Sequence, residues 1–136
     1  MIFVYKKWEK ICAEFARKNV CSVTASDVAL KKTKGKYIVL KHDVETNVAK
    51  AFKMAEIEKK YGHRGSYYVQ AYLMEDDKNI EMLKEMSKMG HEISYHYDVL
   101  DACKGNMDLA IQEYEKNLNL FEENIRYIYL RSFVII

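Results

Sequence analysis

The sequence predicts an α/β fold in which a parallel sheet is covered by helices. Three observations lead there. Strand-like and helix-like runs alternate from residue 37 onward, in the order strand, helix, strand, helix, strand, helix, which is the pattern of βαβ units. The run 37–40 (YIVL) is short, continuous and apolar, as a buried strand is. Gly62 and Gly90 stand where two of the helical patterns end.

The elements follow in order. Tyr5, Trp8, Cys12 and Phe15 recur at helical spacing, so residues 3–18 read as an amphipathic helix. Residues 19–35, ending in KKTKGK, read as an irregular connection. After the strand at 37–40, Val48, Ala51, Phe52 and Ala55 mark one face of a helix that stops near Gly62. GSYYVQAYL (65–73) is rich in Tyr and Val and reads as a second strand. A helix over 77–89 is closed by Gly90, and HEISYHY (91–97) is a third strand. Met107, Ala110, Ile111, Tyr114, Leu118 and Phe121 then share one face of the clearest helix.

Length and composition narrow the function. The 136 residues are enough for one domain with a real core. The net charge is +2 with both signs interspersed, which speaks against nucleic acid as a partner. No apolar stretch has the length of a membrane span, and MIFVYKKWEK has too few apolar residues, in the wrong order, for a signal peptide. Cys12, Cys21 and Cys103 are odd in number and lack metal-ligand spacing. They read as thiols in a reducing cytoplasm, the expected location.

In parallel α/β sheets, ligands and catalytic groups gather beyond the carboxyl ends of the strands. His42, Asp43 and Glu45 stand at that end of the first strand, and His96 and Asp98 at that end of the third. Taken alone, Asp43 and Glu45 also fit a solvated turn, and His96 a hydrogen-bonded histidine at a strand end. Two strands aiming acids and a histidine at one face favour a site. Asp, Glu and His suit a divalent metal, with zinc a natural candidate. Asp43 and Glu45, separated by one residue, share a side of an ideal strand, so one can hold the metal while the other serves as general base. His91, at the opposite strand end, reads as structural, and His63, in the turn YGHRGS, as a surface residue. The HD…N of residues 42–47 lacks the spacing and the glycine-rich loop of a kinase.

VLKHDVETN, then GSYYV, then MGHEISYHYDVLD some fifty residues on, resembles the polysaccharide deacetylase family, in particular a deacetylase-like branch with an HDV(D/E) first motif. The resemblance covers roughly residues 36–124 and the two motifs in order are more specific than either alone. It implies part of a distorted parallel (β/α) barrel with an N-terminal helix, dividing the chain into helix and connection (1–35) and deacetylase-like domain (36–136). It implies a metal-dependent hydrolase that removes acetyl groups from an acetylated carbohydrate, with Asp43 as base, Glu45 and His96 as metal ligands, and Asp43 itself as an alternative ligand. Tyr72, Tyr95 and Tyr97 read as packing residues before sugar contacts.

The chain departs from the family pattern in two places. The second motif has two histidines four apart, and Leu100 stands at the second position. Asp98 or Asp101 is a possible substitute. After His96 there is no histidine, and the chain closes on RYIYLRSFVII, so the expectation is a C-terminally incomplete domain. Weak metal binding and self-association through the apolar tail 126–136 follow from that expectation. The alternative to an active enzyme is a catalytically inactive remnant or carbohydrate-binding module.

Overall fold

The computed structural model describes residues 2–125. Helix α1 spans Ile2–Arg17, strand β1 Ser22–Val23, helix α2 Ala25–Ala29, and strand β2 Ile38–Val44. Helix α3 (Val48–Lys60) leads to β3 (Gly65–Val69) and a 3-10 helix over Ala71–Glu75. Helix α4 (Asp77–Lys88), strand β4 (Glu92–Tyr95), helix α5 (Val99–Ala102) and helix α6 (Met107–Asn124) complete the described chain. The four strands form one curled, parallel sheet in the order β1-β2-β3-β4, a half-barrel with helices packed against it. The tail 126–136, to which the sequence assigns self-association, lies outside the described residues.

Local chemistry starts the helices where the periodicity places them. Asn47 accepts the Lys50 amide at 3.1 Å to open α3, Asp76 the Lys78 amide at 2.9 Å to open α4, and Asn106 the Leu109 amide at 3.2 Å to open α6. Gly90 ends α4 with φ +101°, a conformation that side chains with a Cβ rarely adopt. A Cβ at Gly65 would run into the Glu58 carboxylate and the Tyr67 ring, so the first residue of β3 has room only for hydrogen.

Period-two alternation gives the sheet two different faces. In register across β2, β3 and β4, one face presents Leu40, His42 and Val44, then Gly65, Tyr67 and Val69, then Ile93 and Tyr95. This face meets α3, α4 and α6, whose Val48, Ala51, Ala55, Leu83, Met86, Leu118 and Phe121 complete the buried core. The other face presents Lys41, Ser66 and Glu92 in one row and Asp43, Tyr68 and Ser94 in the next. It carries no aliphatic side chain in those rows, unlike the branched apolar layers that fill a closed barrel.

Three sequence expectations change here. The connection 19–35 contains β1, paired with β2, and α2, which Thr24 opens with a capping box: its side chain accepts the Asp27 amide and Asp27 accepts the Thr24 amide. Five residues are too few for helical periodicity to register. The strand expected over 65–73 stops at Val69, because the chain turns into the 3-10 helix that buries Leu73 and Met74. His63 is buried at 3% exposure, its ring bridging the Ser22 hydroxyl and the Cys12 carbonyl between α1 and the sheet.

Candidate functional site

Strand β2 runs four residues past the apolar stretch 37–40, so Asp43 is its penultimate residue and Glu45 lies just beyond. The ladder continues past the strand ends: the Gln70 amide donates to Val44 and the His96 amide to Val69. Two residues above Asp43 and Ser94 on the polar face, Glu45 and His96 therefore project on the same side. His96 Nε2 lies 3.8 Å from Asp43 Oδ2 and 3.6 Å from Glu45 Oε1. The strands carrying them are not neighbours, because β3 runs between them. Curling of the sheet brings their side chains together over the β3 end.

Local contacts hold these groups in place. Lys41 Nζ sits 3.0 Å from Asp43 Oδ1, leaving Oδ2 toward the histidine. The Tyr72 hydroxyl donates to the Glu45 carbonyl, pinning the loop after β2. His96 Nδ1 is buried without a partner among the described residues. Tyr95 and Tyr97 are drawn into ring contacts with Tyr114, and Tyr95 stacks on Phe121, so both are packing residues.

Below the site, the polar face is closed by α2. The first turn of α2 hands its Ala25 amide to Ser66 Oγ at 2.9 Å and its Ser26 amide to Glu92 Oε2 at 2.9 Å. Glu92 is buried and also accepts from Ser66 at 3.2 Å and Ser94 at 2.8 Å. Three hydrogen bonds, from the Ser26 amide and the Ser66 and Ser94 hydroxyls, therefore satisfy the buried carboxylate.

His42 belongs to the other face. It stacks on Tyr67 with centroids 4.5 Å apart, and its Nε2 meets Glu58 Oε1 in a tight pair. Glu58 is fully buried and accepts from the Tyr67 hydroxyl at 2.8 Å. His91 accepts the Gly65 amide on Nδ1 and donates from Nε2 to the Ala55 carbonyl, both at 2.9 Å, the structural use expected of it. Burial holds its pKa below the ordinary histidine value. Beside β2 a cavity of about 240 Å³ is lined by His42, Asp43, Glu45, Lys50, Met54 and Tyr67.

A metal site needs donors at bonding distance from one point. Tetrahedral zinc with bonds of about 2.0–2.2 Å spaces its ligand atoms about 3.3–3.6 Å apart, and the two His96–carboxylate separations of 3.6 and 3.8 Å are close to that spacing. Among the described residues, no group of three His, Cys, Asp or Glu side chains is arranged so that it could hold a metal ion. Leu100 stands 47% exposed on α5, and Asp98 lines a different cavity with Gln70, Tyr72 and Lys116. Lys41, Tyr68, Ser94 and Glu92, which complete the polar face, escaped the sequence reading. The signal was their alternation, legible only once the register was known.

No protein family, curated protein or solved structure matches this chain.

Proposed function

We propose that the polar face is the site of a metal-dependent hydrolase that resembles carbohydrate deacetylases and removes acetyl groups from an acetylated sugar. One observation carries the reading: His96 of the β4 end meets both Asp43 and Glu45 of the β2 end, beyond the carboxyl edge of a parallel sheet. Asp43, Glu45 and His96 are the residues that would hold a divalent ion, with zinc the best chemical fit to two carboxylates and an imidazole. The chemistry a bound ion supplies there is polarisation of an acyl carbonyl and a lowered water pKa.

The chain's own groups do the rest. As base, Asp43 would take a proton from attacking water and leave the ion to Glu45 and His96; Lys41 on its other oxygen supports this by keeping the carboxylate's orientation. Glu45 is held by its backbone through Tyr72. His96 projects its Nε2 to the carboxylates while its Nδ1 faces inward.

A second reading, an inactive remnant or carbohydrate-binding module, is supported by the exposed Leu100 at the position of the family's second histidine. Zinc titration by calorimetry, paired with acetate release from an N-acetylated oligosaccharide, separates the two. The hydrolase reading expects weak zinc binding that drops at least about tenfold in His96→Ala and Glu45→Ala, with acetate release lost in both. Tight zinc uptake that survives His96→Ala would show that the ligand is misassigned. Sugar binding without acetate release would favour the module.

A further inference from the structure

Two adjacent tyrosines of β3 use their hydroxyls differently. Tyr67 faces the helices, and its hydroxyl donates to Glu58 Oε2 at 2.8 Å. Tyr68 faces the polar side at 6% exposure, and its hydroxyl has no hydrogen-bond partner among the described residues. Its neighbours are engaged elsewhere. Glu92 accepts from the Ser26 amide, Ser66 and Ser94. Asp43 holds Lys41 with one oxygen and faces His96 with the other, while the Lys41 ammonium also lies 5.1 Å over the Tyr68 ring. Burial, reinforced by the charges of Glu92 and Asp43, pushes the phenol up to about 12, so near neutral pH the hydroxyl keeps its proton and is a donor.

A buried hydroxyl without a partner costs free energy that a phenylalanine ring of the same shape does not. Packing by itself therefore favours Phe at position 68. Tyr68 pairs with Asp43 in the register and with Ser94 on its other side, directly below the row of Glu45 and His96. Tyr68 thus stands on the polar face, one row below the residues of the candidate site.

We propose that the Tyr68 hydroxyl is a ligand-positioning donor of the Asp43–Glu45–His96 site, giving its hydrogen bond to an oxygen of the acylated sugar bound there. This rests on the hydrolase reading above. Tyr68 keeps its proton throughout, and proton transfer falls to Asp43, so losing the hydroxyl weakens the hold on the ligand more than the turnover.

The test is Tyr68→Phe beside the wild type and His96→Ala, with N,N′-diacetylchitobiose as probe and zinc supplied. The readouts are the Tm of the metal-free chain, the Kd of the probe by NMR titration, and KM and kcat for acetate release. The expected result is an unchanged or raised Tm, Kd and KM increased about tenfold, and kcat within about threefold of wild type. A Tm lowered by several degrees with Kd unchanged would assign the hydroxyl to the fold and overturn the proposal. Identical Tm, Kd and KM would overturn it as well. If wild type and His96→Ala treat the probe alike, including not at all, the hydrolase reading falls and the Tyr68 assignment with it. If His96→Ala fails while Tyr68→Phe matches wild type, the Tyr68 assignment alone falls.

Discussion

Removing His42 or Glu58 singly is expected to cost more than their separate contacts suggest, and removing both less than the sum. Glu58 is fully buried, with one oxygen on His42 Nε2 and the other accepting from Tyr67. His91 Nδ1 lies 3.7 Å from that second oxygen but already accepts the Gly65 amide, so it has no proton to offer there. His42→Ala therefore leaves a buried carboxylate supported by a phenol, a loss of about 3–5 kcal/mol. Glu58→Ala strands the Tyr67 hydroxyl, about 1–3 kcal/mol, and opens a void that brings the total to about 3–4 kcal/mol. In the double variant no carboxylate remains to be stranded, so a coupling of about 2 kcal/mol is expected between the two sites. The assay is urea unfolding of the four proteins followed by far-UV circular dichroism. Trp8 fluorescence is a poor probe because its ring packs edge-on against His42. Additivity to within about 0.5 kcal/mol would refute the reasoning, since it would mean that Glu58 does not depend on His42.

Three further outcomes are expected. His91 is buried with a pKa held below its ordinary 6.5, so below about pH 6.5 the unfolded chain binds more protons than the folded one. Stability then falls as pH drops through that window, by up to about 1.4 kcal/mol per unit; His91→Asn should flatten that limb of a urea stability–pH series, and an equally steep limb would place the acid sensitivity elsewhere. Cys12 is buried with its thiol pushed up to about 12, chiefly by desolvation, whereas Cys21 is exposed; a thiol reagent should label Cys21 in the folded protein and Cys12 only on unfolding, as peptide mapping would show. Glu92→Ala takes the acceptor from the Ser26 amide, Ser66 and Ser94 and should cost about 3–5 kcal/mol, while Thr24→Ala loses only the α2 capping box, about 1–2 kcal/mol; thermal denaturation that ranks the two the other way would show that α2 is not held by Glu92.

The sequence by itself determined the alternation of strands and helices from residue 37 onward, because α3, α4 and α6 each have an apolar stripe and a capping residue before it, and β2, β3 and β4 each lie in a compact apolar or aromatic run. It also determined that Asp43, Glu45 and His96 share the carboxyl end of the sheet, since strand direction in a parallel fold follows from alternation alone. Tertiary structure decided which face each of these residues uses. Alternation separates His42 from Asp43, but only packing against α3 shows that His42 goes inward to Glu58 while Asp43 goes to the polar side. Tyr67 and Tyr68 are indistinguishable as letters, yet one hydroxyl donates to Glu58 and the other has no hydrogen-bond partner among the described residues. His63 looked solvent-facing in a glycine turn, and contact with α1 buries it. The short β1 and α2 were invisible for the same physical reason. β1 is held by its ladder with β2 and the first turn of α2 by Ser66 and Glu92, and local periodicity carries no trace of such partners.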